Sequence, residues 1–270
     1  MSSADDSYPM ASRAPLASAR NATRMALYLF WVDLRTQFAT TPLGTGIHSL
    51  GYLLQVGLVG TLFAAILQKQ LLDIRSYLLD LAVGFAVWLW VSSSLTGAAG
   101  APARWGDVLR ATALSPAVFA AEVVFRQTVV FLQNLVLILI FHLVLIGVPA
   151  VAPLGVLAGL VLTLLLLLPA SAIVAMACMR FRDIPQVLTY AVQIGLLMTP
   201  ILWPDYFLGN YQFLLSANPL YWLVAMLRDP MHGAAVPPHI WLFAALGTLV
   251  LTVTAIAVGR WARQRLTYWL

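Results

Sequence analysis

A phosphate-cradling P-loop needs a lysine behind a glycine-rich turn, and the only lysine of this chain, Lys69, stands in Leu67-Gln68-Lys69-Gln70. Nucleotide chemistry of that kind is therefore not expected from the chain itself. His48, His142, His232 and His239 are scattered, without a carboxylate or cysteine partner close in sequence, and Cys178 is the single cysteine. No catalytic residue, metal site or cofactor is expected. His142 reads as a helix-to-helix hydrogen bond. Glu122 and Arg126, one helical turn apart with Gln133 further along the same side, read as an ion pair inside a bundle or as a relay of motion. Phe85, Trp88 and Trp90 lie within an apolar stretch, away from its ends. Ring faces of that kind can stack on the apolar faces of sugars, and they fill helix cores equally well.

These side chains belong to a chain composed for a membrane. Of 270 residues 61% are hydrophobic and 9% charged, with a mean hydropathy of +0.89, against roughly 25% charged in an ordinary soluble domain. Charges are costly at mid-bilayer, so the net charge of +5 and pI of 9.7 point to membrane orientation and not to nucleic acid. Windows without Asp, Glu, Lys or Arg mark six spans, expected at about 47–67, 78–100, 118–146, 155–178, 184–203 and 240–259, the second and third extended past their windows to take in Asp80 and Glu122 with Arg126. The turn Gly147-Val148-Pro149-Ala150-Val151-Ala152-Pro153 divides an uncharged run too long for one helix. Gly155 and Gly159 form a GxxxG pattern that permits close helix packing.

Residues 1–24 are polar, lack an apolar signal region and read as a flexible cytoplasmic tail. Residues 25–40 place Leu27, Phe30, Trp31, Leu34 and Phe38 at helical spacing, with Asp33 on the other side, and so read as an amphipathic helix in the membrane interface. Residues 206–228 carry no charge before Arg228, but Gly209-Asn210 and Asn218-Pro219 interrupt them. That pattern predicts two re-entrant half-helices, the second capped by Asn218, opened by Pro219 and stopping before Asp229-Pro230. The expected fold is an all-α integral membrane domain over residues 25–270, with six transmembrane helices, the interface helix and the re-entrant half-helices between the fifth and sixth spans. With both termini cytoplasmic, the inner segments hold 11 of the 15 basic residues, which sets the expected orientation.

The order of these features resembles the membrane subunit of ABC exporters that move polysaccharides, the O-antigen, capsule and teichoic-acid permeases. Arg180-Phe181-Arg182-Asp183-Ile184, followed by Thr199-Pro200-Ile201-Leu202-Trp203, is similar to that family's basic turn and following span. Asn218-Pro219-Leu220 resembles its step before the last helix, and Trp31-Val32-Asp33-Leu34-Arg35 with Pro42-Leu43-Gly44 its interface helix and step into the first span. The chain departs from the pattern at Thr45-Gly46-Ile47-His48, where relatives often carry a tryptophan. The resemblance implies a homodimer in the cytoplasmic (inner) membrane, bound to two copies of a separate ATP-binding subunit, that exports a lipid-linked glycan of O-antigen type.

In that scheme residues 103–116, with Arg104, Trp105, Asp107 and Arg110, would couple to the ATPase. Its closure would part the first and fifth spans of the two protomers. Phe85, Trp88 and Trp90 are candidate substrate contacts. Trp31, Asp33, Arg35, Glu122, Arg126, Arg180, Arg182, Asp183, Pro200, Asn218 and Pro219 are candidate structural or gating residues. A lipid or drug as cargo is a close variant, for which a lateral aliphatic pocket would speak. A gradient-driven carrier and a membrane enzyme are further alternatives. Carriers usually show mid-membrane ionisable groups and repeated halves, whereas the acids here lie at span ends.

Overall fold

The computed structural model describes residues 28, 31, 32, 35, 46–67, 73–112, 115–145, 147, 151–211 and 213–263. Among them the regular structure is entirely helical: α1 (Gly46–Leu67), α2 (Ile74–Thr112), α3 (Pro116–Leu145), α4 (Pro153–Arg180), α5 (Ile184–Met198), a 3-10 segment (Asp205–Tyr211), α6 (Phe213–Ala217), α7 (Pro219–Met231) and α8 (Pro238–Arg263). Proline opens many of these helices. Pro116, Pro153, Pro219 and Pro238 are first residues and Pro185 a second, positions where the missing N–H costs nothing and the fixed φ already suits a helix.

Five helices, α1 to α4 and α8, are long and apolar enough to cross a membrane. This marks a multi-pass membrane protein. The fifth expected span, 184–203, is a helix only over Ile184–Met198, 15 residues, or about 22 Å at 1.5 Å per residue, short of a hydrocarbon core of about 30 Å. Pro200 is the reason: a residue before proline is driven out of the helical region, and Thr199 is extended at φ −99 and ψ 136. The second expected span also differs, because α2 continues past Pro102 to Thr112 over 39 residues. Residues 103–112 of the expected coupling loop are thus the last turns of α2. Their charges end the apolar stretch without ending the helix.

α2 and α4 form the centre. α2 packs against α1, α3, α4, α5 and α7, and α4 against α2, α3, α5, α7 and α8. Small residues set the closest approach, with Ala98, Ala120 and Ala175 from α2, α3 and α4 fully buried together. The outer helices turn aliphatic side chains outward, such as Leu58, Leu62 and Ile66 on α1 and Leu249, Val250 and Val253 on α8. An apolar surface so extensive suits lipid or a partner protein.

The start of α2, the ends of α3 and α7 and the start of α4 meet at one end of the bundle. There the His142 and His232 rings are 6.2 Å apart and the Ala152 amide donates to the Pro230 carbonyl at 2.8 Å. The opposite end carries Arg104, Arg180, Arg182 and Arg260. Of the expected interface helix, Tyr28, Trp31, Val32 and Arg35 are helical, and Tyr28, Trp31 and Arg35 are exposed. Asp33 and the rest of residues 25–40 lie outside the described residues, as do the tail 1–24 and Lys69.

Candidate functional site

The main site is built where α5 breaks. Asp73 precedes α2 and its carboxylate accepts hydrogen bonds from the Ser76 amide at 3.0 Å, the Ser76 hydroxyl at 2.6 Å and the Arg75 amide at 3.2 Å. Those bonds, the Ser76 hydroxyl first, hold its carboxyl below the usual carboxylate range. Helical spacing then sets Ser76, Tyr77 and Asp80 on the same side of α2 as Asp73. The Tyr77 hydroxyl donates to the Leu202 carbonyl at 2.8 Å, which ties the non-helical segment 199–204 to α2.

Asn218 secures the other side of the break. Its Oδ1 accepts from the Leu220 amide at 3.0 Å and caps α7, while its Nδ2 donates to the Met198 carbonyl and to Thr199 Oγ1, both at 3.3 Å. The capping role of Asn218-Pro219 is as the sequence predicts. The joint to the end of α5 is a contact across 20 positions that sequence reading missed. Asn218→Ala is expected to lose about 1 kcal/mol from the cap alone and more from the freed Met198 carbonyl. A lowered apparent melting temperature in detergent, with Asn218→Asp recovering the cap but not the two donor bonds, checks this.

Between these walls lies a hollow of about 410 Å³ lined by Asp73, Tyr77, Asp80, Trp203, Asp205, Arg228, Asp229 and His232, among others. Arg228 is the hub. Its guanidinium stands 3.2 Å from Asp205 and 3.2 Å from Asp229, and 4.0 Å from Asp80, with its side chain only 12% exposed. His232 Nε2 lies 2.9 Å from Asp80, within pairing distance when the ring is protonated. Burial opposes the charge on Arg228, but Asp80, Asp229 and Asp205 more than offset it and raise its pKa. Burial also pushes the Asp229 carboxyl up, against the pull of Arg228.

Sequence reading missed this cluster. Asp80 and Asp229 are 149 positions apart, and the only local signal was the adjacent pair Arg228-Asp229 in a chain with few charges.

The residues singled out from sequence are dispersed. Phe85 and Trp88 are buried in the main apolar core, 2% and 6% exposed, and the Trp88 ring reaches to 3.0 Å of where a Cβ on Gly195 would lie. That is a packing role. Trp90 is also buried but lines a second hollow between α1, α2 and α3, where it stacks on Phe131 at 4.5 Å. Glu122 and Arg126 do meet at 3.6 Å, with Glu122 1% exposed.

At the opposite end Trp105 is half-buried and stacks on Phe119 at 5.4 Å, while Arg104 is exposed. Asp107 and Arg110 lie on the helical backbone of α2, and their side chains are outside the described residues. Arg180 sits over the Phe181 ring at 5.2 Å. Arg182 and Asp183 are exposed, and Asp183 starts α5 through its carbonyl, which accepts from the Val187 amide at 3.2 Å, without a side-chain cap. Gly155 and Gly159 pack against α7, where a Cβ on Gly159 would run into the Met226 carbonyl oxygen.

No protein-family model matches the chain, and neither does any curated protein. The function has to be argued from the geometry above.

Proposed function

We propose that this chain is the membrane subunit of an ATP-driven exporter of lipid-linked polysaccharide. In this reading it works as a homodimer with two copies of a separate ATP-binding subunit, in the cytoplasmic membrane with both termini in the cytoplasm. The observation that carries the reading is the broken pass between Ile184 and Met231. A 15-residue helix, a non-helical segment and a capped helix stand there in place of a spanning helix, tied to α2 by Tyr77 and to each other by Asn218. Irregular backbone at membrane depth is stable only where protein buries it or where it lines a wet cavity. The segment here is tied down by Tyr77 and lines a hollow of about 410 Å³ with four carboxylates and one guanidinium, which supports the reading.

An exporter that parts its two protomers needs such a joint, where α5 ends before Pro200 and α7, packed on α4, is a separate helix. The basic end, with Arg104, Arg180, Arg182 and Arg260, fits the cytoplasmic face under the positive-inside rule.

A lipid cargo is the second reading, and one observation favours it. A hollow of about 520 Å³ between α2, α4, α7 and α8 is lined, among the described residues, by apolar ones such as Leu95, Leu166, Trp222, Phe243 and Leu246. It is the lateral aliphatic pocket expected for an acyl chain, and it suits the anchor of a lipid-linked glycan as well.

Reconstitution tests the exporter reading. The purified chain alone is expected to hydrolyse no ATP, and an ATPase encoded in the neighbouring reading frame is expected to restore nucleotide-dependent movement of glycolipid across proteoliposomes. Transport in membranes with neither nucleotide nor partner would overturn the proposal in favour of a gradient-driven carrier.

A further inference from the structure

We infer that the hollow between α1, α2 and α3 is a binding site for a neutral, hydroxyl-rich ring, the sugar headgroup of a glycolipid, held within one protomer. The hollow measures about 290 Å³ and is lined by Gln55, Ser93, Trp90, Gln127, Phe131 and Asn134, together with Gly51 and Tyr52. It lies deep along the spans: Asn134 is well inside Pro116–Leu145, and Trp90 well inside Ile74–Thr112. A bilayer core supplies no water partner, so polar groups at that depth must be satisfied by protein or by something that enters. Asn134 is 2% exposed, and its Oδ1 finds no hydrogen-bond partner among the described residues.

The chemistry of the wall selects the ligand. Amides and hydroxyls both donate and accept, which matches sugar hydroxyls, and among the described residues no charged side chain lines the hollow. A phosphate or an ammonium would enter without a counter-charge in a low-dielectric setting, which is strongly unfavourable. Trp90 and Phe131, stacked on each other at 4.5 Å and 18° and each 2% exposed, back the hollow with an apolar wall. That wall is fixed in advance. The Trp90 indole N–H donates to Thr128 Oγ1 at 3.1 Å, and the Thr128 hydroxyl in turn donates to the Val124 carbonyl at 2.7 Å.

The volume falls at the lower edge of the roughly 300–1,000 Å³ of ligand pockets, so it suits one ring and not a polymer. Gly51 and Gln55 are exposed on α1, so the mouth opens sideways, where a lipid-borne headgroup arrives. The use of this site by a transported glycan rests on the exporter reading. Binding itself does not.

The test uses the full chain in phospholipid nanodiscs, without nucleotide or partner, read by native mass spectrometry. The probes are monoglucosyl diacylglycerol, diacylglycerol with the same acyl chains, and soluble methyl glucoside. The glycolipid is expected to be retained about tenfold over diacylglycerol, the difference of a net hydrogen bond or two. Asn134→Leu and Gly51→Leu should each abolish that preference. A Cβ on Gly51 meets nothing within 4 Å, so its leucine fills the mouth without displacing packed atoms.

Displacement by methyl glucoside would assign the site to the free sugar as well, and no displacement to the anchored one, and either outcome keeps a sugar site. Equal retention of glycolipid and diacylglycerol would overturn the proposal, as would variants that retain the preference. So would loss of a dimer in Gly51→Leu with glycolipid retention unchanged, since the hollow would then be a contact between copies. Because no ATP is involved, failure here leaves the exporter reading standing, and failure of coupled transport leaves this binding result standing.

Discussion

Replacing Arg228 by methionine is expected to destabilise the protein by about 2–3 kcal/mol, between the 3–5 typical of breaking a fully buried ion pair and the 0–1 of a surface pair. The intermediate value follows from exposure, since Asp80 and Asp205 are 43% and 35% exposed whereas Asp229 is 19%. Methionine keeps much of the length and removes the charge, leaving Asp80, Asp205 and Asp229 facing one another without the guanidinium. The deficit should also depend on pH. In the wild type, burial raises the Asp229 pKa and Arg228 opposes that rise, so losing the arginine moves the carboxyl further up.

A carboxyl whose folded pKa lies above its unfolded value binds more protons folded than unfolded, so the variant's stability is greatest below the carboxylate range. That stability is lost as pH climbs through the folded pKa. Melting curves across mildly acidic to neutral pH should show Arg228→Met approaching the wild type on acidification. The expected mechanism fails if the gap between the two proteins widens as pH falls. Arg228→Lys separates charge from shape: a point charge restores the Coulomb attraction but cannot make the forked contacts to Asp205 and Asp229 together.

How far the sequence announces this architecture depends on which physical signal each element leaves. α3 and α4 are legible to within about two residues at each end because the uncharged run from Gln127 to Met179 fills most of them and the turn ending at Pro153 divides it. α5 is misread over its last five positions because a hydropathy window counts Thr199, Pro200 and Ile201 as membrane-compatible and is blind to the backbone clash that Pro200 imposes. The end of α2 is misread for the opposite reason: Arg104, Asp107 and Arg110 mark where lipid ends, and the helix simply continues into water or a partner. The prediction that α7 stops before Asp229-Pro230 is corrected too, as it runs to Met231.

Among the aromatics, type alone does not choose a face. Trp90 reaches the polar hollow while Phe85 and Trp88, on the same helix, are packed into the core. The acidic hollow is the least legible feature. Its charged residues come from α2, the 3-10 segment and α7, and only tertiary packing gathers them.

The GxxxG pair carries the other large expected effect, because what it packs against is backbone. Pro230 has no N–H, so the Met226 carbonyl four residues earlier lacks the donor that a helix normally supplies. Gly159 occupies the space beside that carbonyl: a Cβ there would run into the oxygen and lie 3.0 Å from its carbon. One turn earlier, a Cβ on Gly155 would meet the Pro230 ring at 2.9 Å, and the Ala152 amide donates to the Pro230 carbonyl at 2.8 Å. α4 and α7 are thus joined along two helical turns by the absence of side chains on one and of an amide proton on the other.

Gly159→Leu cannot be absorbed by a rotamer change, since a carbonyl does not rotate out of the way as a side chain does. The added carbon and the Met226 oxygen must part to about 3.3 Å, the usual carbon-to-oxygen approach, at a cost of about 3 kcal/mol, the upper end of overpacking penalties. Opening it shifts α7 and with it Arg228, only two residues from both Met226 and Pro230, so the acidic hollow should loosen in the same variant.

The control is Gly57→Ala on α1, where a Cβ meets nothing within 4 Å. There the helix is expected to gain about 0.5–1 kcal/mol from the better helix former. Melting curves of the two variants in one detergent test the argument. Equal stability for Gly159→Leu and wild type would show that α7 does not bear on α4 through this carbonyl.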